Sequence, residues 1–247
     1  MIEYRTLTKH YLELWFGEPE PPGCRHDVVV RHRAPERSPG GHCEEFYSLQ
    51  IDISRGLDEI FHDFSRTTRA EIKKSIEGDA LQFEFIDNPS VNQLKEFIDF
   101  YDEFARGKGM EILRRKQVEA YRRSGRFSLN RVFNSDRTLT WHSTLRYAEH
   151  VGLVHSASHF RAGDTELRKL ISRANRRLHW EEFQHFRTSG CRVFDLGGWY
   201  AGSTDVQKLM INRFKESLGG MKVLEFTVTE NRSLLAKSLA AIHGIWS

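Results

Sequence analysis

Cysteine is scarce in this chain: Cys24, Cys43 and Cys191 are the only three among 247 residues, widely spaced and odd in number. Such a set excludes a disulfide framework and a Cys-x-x-Cys metal site, and it fits a reducing compartment. Long apolar runs are missing as well; none approaches the roughly 20 residues that span a bilayer. The opening stretch "MIEYRTLTKHYLELWF" sets charges among its apolar positions and lacks a signal-peptide core, so a cytoplasmic location is expected. A strong charge of either sign is absent too, since 37 Lys and Arg against 34 Asp and Glu leave a net charge of +3. That balance alone names no polyanionic partner. What is present is a globular composition, 39% hydrophobic and 12% aromatic, long enough for one large domain or two small ones.

Five of the six prolines precede position 40, which makes residues 1–50 irregular at their edges. "LELWF", "DVVVRH" and "FYSLQIDIS" read as strands there, separated by the loops "GEPEPPG" and "APERSPGGH". From about Gly56 the period changes to helical. Leu57, Ile60, Phe61 and Phe64 predict a helix that continues through "RAEIKKSIEG" to Gly78. "LQFEFI" alternates as a strand. "SVNQLKEFIDFYDEFARGKG" is a helix with Leu94, Phe97, Ile98 and Tyr101 on one face, and "RRKQVEAYRRSG" is a shorter one. "FSLNRVFN", "TLTWHSTLRYAEH" and "GLVHSASHF" then form an antiparallel meander. A long helix from about Asp164 to Ser189, the strand "RVFDL", a helix around 204–218, the strand "KVLEFTV" and a helix from about Asn231 complete the order. The expected class is α/β with a mixed sheet flanked by helices, and a meander feeding a helix crossover matches acyl-transfer folds of the GNAT type.

The stretch "RVFDLGGWYAGSTDVQKLMINRFKESLGG" holds the first chemistry. Asp195 ends a strand just before Gly197-Gly198, where α/β folds place ligand-contacting residues; a turn-capping role is its structural alternative. Lys215 near a helix end complements the helix dipole. His179 and Trp180 lie mid-helix beside Asn175; a histidine there can orient a substrate, and a tryptophan can stack on a ring or fill the core. His155 and His159 share a strand face with no further ligands, so no metal site is expected. Arg66, Arg69 and Lys73 line one side of a helix, as do Lys169, Arg173, Arg176 and Arg177. Such stripes commonly face solvent, and they also suit a polyanion contacted through its phosphates.

"RTTRAEIKKSIEG", then "ANRRLHWEEFQHFRTSGCRVFDLGG", then "FKESLGG" resemble, in order and spacing, the Fem family of aminoacyl- and acyl-transferring enzymes, over roughly residues 50–229. The resemblance implies a β-rich N-terminal segment, 1–50, followed by a GNAT-type, FemAB-like domain, 51–247. It implies amide formation in cell-envelope, polysaccharide or natural-product biosynthesis. The donor substrate would be aminoacyl-tRNA, with no cofactor, and the acceptor a small-molecule or peptide amine. Asp195 would hold or deprotonate the amine, while Lys215 would neutralise an oxyanion or a tRNA phosphate. On this resemblance the two face one cleft, with Trp199 and Tyr200 in the loop "GGWYAGSTD" shaping the acceptor pocket. His179, Trp180 and Asn175 would bind substrate, and Arg66, Arg69, Lys73, Arg173, Arg176 and Arg177 would contact RNA. Alternatives are an acyl-CoA or acyl-carrier-protein donor, or a non-catalytic RNA-binding module. "SHFRAGDTELRKL" weighs against coenzyme A, because the glycine-rich pyrophosphate turn is reduced to Gly163 and followed by Asp164, a helix N-cap whose charge opposes a phosphate. The chain departs from the family in two ways. The Fem cell-wall enzymes carry two GNAT-like domains and this chain matches the second, so a large cell-wall acceptor is not expected. Leu218 replaces a more usual phenylalanine.

Overall fold

The structure, a computed structural model, describes residues 1–158 and 165–242. Four strands come first: β1 (Ile2–Arg5), β2 (His10–Trp15), β3 (Val28–Ala34) and β4 (His42–Asp52). Helices α1 (Leu57–Asp63) and α2 (Arg66–Gly78) lead to β5 (Gln82–Asp87). Helices α3 (Val91–Lys108) and α4 (Arg115–Arg123) lead to the meander β6 (Phe127–Phe133), β7 (Thr138–Tyr147) and β8 (His150–Ser158). Then follow α5 (Thr165–Thr188), β9 (Val193–Gly198), α6 (Val206–Glu216), β10 (Met221–Asn231) and α7 (Leu234–Ile242). The readings of His159, Gly163 and Asp164 fall outside the described residues.

One expected helix is two. The period through Leu57, Ile60, Phe61 and Phe64 predicts continuity to Gly78, but the backbone turns extended at Phe64 and Ser65. Phe64 is buried there, and the Ser65 hydroxyl accepts a bond from Thr68 N at 3.1 Å, capping α2. A serine cap, worth about 1 kcal/mol, is enough to restart a helix in a new direction once its neighbour is anchored in the core.

The ten strands of the described residues join one mixed sheet, in the order β1-β2-β3-β10-β4-β9-β8-β7-β6-β5. β2–β3 and β8–β9 are parallel and the remaining pairs antiparallel. The strands of residues 2–52 thus extend the sheet of the later ones, and β10 lies between β3 and β4. The β8–β9 ladder has only three pairs, His150↔Val193, Val151↔Phe194 and Gly152↔Asp195. Both strands run on past it, so the sheet forks immediately beyond Asp195.

Alternation along β7 sends its side chains to opposite layers. Trp141 goes to one side, 6.0 Å from Phe97 of α3, in a core shared with Tyr121 of α4, Phe127 and Leu145. His142 goes to the other, beneath α5. The second core, nearer β4 and β9, joins Ile51, Phe64, Phe183, Phe186 and Phe194. Each of these fully buried side chains contributes roughly 1.5–3 kcal/mol of transfer free energy, so two apolar layers fix the fork between them.

Candidate functional site at the sheet fork

Asp195 is fully buried, and both its oxygens are engaged. Oδ2 accepts from Arg33 Nε at 2.6 Å, and Oδ1 accepts from Gly197 N at 2.7 Å. Gly197 has a φ of +78°, and a Cβ added there would sit 3.2 Å from the Leu153 carbonyl and 3.8 Å from Lys215 Nζ. The positive φ favours glycine, and a side chain here would crowd the Leu153 carbonyl. The carboxylate expected to hold or deprotonate an amine thus has one oxygen bonded to Arg33 and the other to the Gly197 turn.

Arg33 arrives from β3 with a φ of +58°, a left-handed conformation that costs a side-chain-bearing residue about 1–3 kcal/mol and clusters at functional sites. Its guanidinium lies 3.5 Å above the Phe46 ring and 3.9 Å, from Nε, to Glu225 of β10. Glu225 accepts from Ser48 Oγ at 3.1 Å. Burial pushes its carboxyl up, and the neighbouring Asp195 adds to the shift.

Lys215, in the last turn of α6, donates from Nζ to the Gly198 carbonyl at 2.6 Å. Burial lowers its pKa to about 8, against the pull of Asp195 and with a push from Arg33. Asp195 and Lys215, named from the sequence, thus meet at Gly197-Gly198. Beside them stand Arg33 and Glu225, which the sequence reading missed. The group as a whole is charge-balanced, with one permanent cation and one whose charge responds near neutral pH.

Trp199 and Tyr200 continue from β9 along α6. Tyr200 is clamped by its backbone, whose N–H donates to Asn212 Oδ1 at 2.9 Å and whose carbonyl accepts from Asn212 Nδ2 at 2.7 Å. Trp199 Nε1 donates to Glu216 at 2.9 Å, and Lys222 Nζ lies 3.7 Å from its ring. Trp180 packs against Phe61 and Phe64, with ring centroids at 5.1 and 5.6 Å, and serves the core.

His179 and Asn175 belong to a separate, buried cluster under α5. His142 Nδ1 lies 3.0 Å from Glu182 and its Nε2 lies 2.9 Å from Asn175 Oδ1. His179 Nδ1 lies 3.2 Å from Glu182. Burial, then the adjoining His142, lowers the His179 pKa to about 4; Glu182, pushed up by burial but outweighed by the two histidines, is held at about 2. The cluster adjoins the fork, since the His179 ring is 5.8 Å from that of Phe214, which precedes Lys215. His142 sits at an inward position of an alternating strand, and Glu182 one helical turn after His179; those are the signals that could have exposed both.

The basic stripes divide. Arg66 and Lys73 are exposed on α2. Arg69 caps the preceding turn through the Phe64 carbonyl at 2.6 Å. Arg173 is buried and bidentate on Asp79, both bonds at 2.7 Å, and Arg177 bonds Glu181 and the Ser75 carbonyl. Arg176 lies over Phe214 at 5.2 Å. The expected open face of α5 is in these residues the seam between α2 and α5.

No family model matches the chain, and no curated protein sequence matches it. Solved structures do. FemX superposes with a TM-score of 0.59 at 12% identity, over 79% of this chain and 63% of that one. The C-terminal domain of a putative lysylphosphatidylglycerol synthetase from Agrobacterium fabrum gives 0.51 at 11%, over 88% and 72%. L-PGS from Bacillus licheniformis gives 0.53 at 13%, over 87% and 72%. The fold is therefore Fem-like, the GNAT-type α/β architecture expected from the sequence, and the chain spans less than two thirds of FemX.

Proposed function

We propose that the fork is a transfer site at which an aminoacyl group passes from tRNA to an amine, forming an amide. The observation that carries this reading is Lys215, a cation lowered to about 8 and aimed at the Gly198 carbonyl where β8 and β9 part. As the amine attacks the ester, the carbonyl oxygen gains negative charge, and an ammonium held beside it stabilises that charge. The C–N bond forms, the bond between the acyl carbon and the ribose oxygen breaks, and the tRNA hydroxyl leaves with the proton the amine gives up. The ester is already activated, so positioning and one electrostatic donor suffice. Arg33, fixed by Asp195 and Phe46, adds permanent positive potential to the same side. The Fem-like fold supports the reading, as does its occurrence in the C-terminal domain of a putative lysylphosphatidylglycerol synthetase.

The test is incubation with charged tRNA, or with acyl-CoA, and a panel of amines, following loss of the activated ester. Consumption of aminoacyl-tRNA and not of acyl-CoA is expected. Consumption of the thioester alone would move the donor to coenzyme A or a carrier protein. RNA binding with no turnover would make the chain a non-catalytic module.

A further inference from the structure

We infer that His142, His179 and Glu182 hold a divalent first-row transition-metal ion, of which zinc is the reference. The three residues are 0%, 2% and 0% exposed, and their ligating atoms lie within 4.8 Å of one another. One strand and one helix make the arrangement. His142 points inward from β7, and His179 and Glu182 lie three apart on one face of α5. Nδ1 of His142 is 3.0 Å and Nδ1 of His179 is 3.2 Å from the same oxygen, Glu182 Oε2. An ion bound at the usual 2.0–2.2 Å separates its ligand atoms by about 3–3.5 Å.

The surrounding bonds leave a place for a cation. His142 Nε2 lies 2.9 Å from the Asn175 amide oxygen, which can only accept, so a neutral His142 in this bond carries its proton on Nε2. Its Nδ1 then turns a lone pair on a carboxylate at 3.0 Å, which is repulsive unless a positive charge lies between them. Asn130 Nδ2, on the neighbouring strand, donates to Glu182 Oε1 at 2.7 Å and orients the carboxylate from behind. Partners of this kind, holding ligands from their far side, are what metal-binding histidines and carboxylates carry.

A proton is the simpler cation, and it answers one nitrogen only. His179 Nδ1 is buried and faces Glu182 without hydrogen-bond geometry. Asn130 Oδ1 and Thr140 Oγ1 on the strands beneath α5 are buried without partners as well, and Asn130 is registered directly opposite His142. Clustered unsatisfied atoms of this kind mark a missing ion or water. One ion takes both nitrogens and the carboxylate together, and a water bound to it supplies hydrogen bonds to the layer below. Two imidazoles with one carboxylate suit zinc, iron(II) or cobalt(II). The expectation of no metal rested on the spaced cysteines and on His155 and His159; the ligands now assigned come from elements that only the fold brings together.

The experiment uses the full chain, stripped with a chelator, reloaded with Zn²⁺ or Co²⁺ and desalted, with circular dichroism on every variant. One equivalent of ion should remain with the wild type, cobalt should show ligand-field absorption, and zinc should raise the melting temperature. His142→Ala and Glu182→Gln should abolish retention, and Asn175→Ala should weaken it about 10- to 100-fold. If Glu182→Gln fails to fold, His179→Gln carries the same comparison. The assignment is overturned if the folded wild type retains no ion while ¹⁵N spectra show His142 protonated at both nitrogens. It is equally overturned if retention survives these changes and disappears with His26→Ala, which would place the ion at Glu3, His10 and His26.

Discussion

Two buried carboxylates, Asp195 and Glu182, lie in neighbouring layers and are neutralised in opposite ways. Asp195 is answered by Arg33, which stays charged at any accessible pH, with Lys215 close by. Glu182 is answered by two imidazoles and an amide, none of which is a permanent cation. The first arrangement is rigid electrostatics, suited to meeting a charge that develops and vanishes during a reaction. The second is conditional, and its stability depends on what positive species occupies it. Burial alone does not distinguish the two; the chemistry of the partner does.

The largest way to break the contrast is Asp195→Ala. It strands Arg33 without its partner and should destabilise the fold by about 3–5 kcal/mol, read by urea unfolding. A cost below about 1 kcal/mol would mean that Arg33 is solvated or re-pairs with Glu225, and the rigid reading would go.

Lys215→Met sharpens the contrast from the other side. Single-turnover transfer should fall about 10²–10³-fold while the melting temperature holds or rises, because a half-buried charge is removed along with a donor. A lowered melting temperature beside near-normal turnover would make Lys215 merely structural. The folded pKa of about 8 lies below the ordinary 10.5, so the unfolded chain keeps this proton longer. Stability should therefore climb as pH rises from about 8 to 10.5, and that climb should be missing in Lys215→Met. Transfer should decline over the same rise, since the ammonium is the useful form.

A smaller effect comes from a third buried titratable group, His155, which shares a hydrogen bond with the Ser143 hydroxyl at 2.8 Å. Burial lowers its pKa to about 4, below the 6.5 of the unfolded chain. Stability should fall as pH drops from 6.5 towards 4, and His155→Gln should flatten that slope in acid titrations followed by tryptophan fluorescence. An unchanged slope would assign the acid sensitivity elsewhere. The smallest expected change is in RNA affinity. Reversing the exposed Arg66 and Lys73 to glutamate should lower the salt dependence of tRNA binding by about two in log–log slope. Binding indifferent to salt in the wild type would remove tRNA from the proposal.

The sequence was informative wherever structure is local. The strand-to-glycine transition at Asp195 and the meander before α5 follow from periodicity and turn residues. Lys215 reaches the fork because α6 begins and ends where its cap and glycines say. Arg33 left no trace, since it meets Asp195 from 162 residues away and its own neighbourhood reads as an ordinary strand. Arg173 misled for a related reason: a helical period tells which residues share a face, but not that Asp79 and α2 will cover it. Phe64 and Ser65 show the local limit, where a cap overrode an unbroken hydrophobic period.

The placement of β10 between β3 and β4 governs how the molecule is made. Residues 221–231 supply the ladder that joins the two early strands, so neither can complete its edge when it first leaves the ribosome. At ordinary elongation rates of about 5–20 residues per second, those edges wait roughly ten to forty seconds for their partner. During that interval the nascent chain carries open β edges of the kind that recruit other strands. Its yield in the cell is therefore governed by the delay between two segments of its own synthesis, and faster delivery of 221–231, by circular permutation, should favour the native sheet over aggregates.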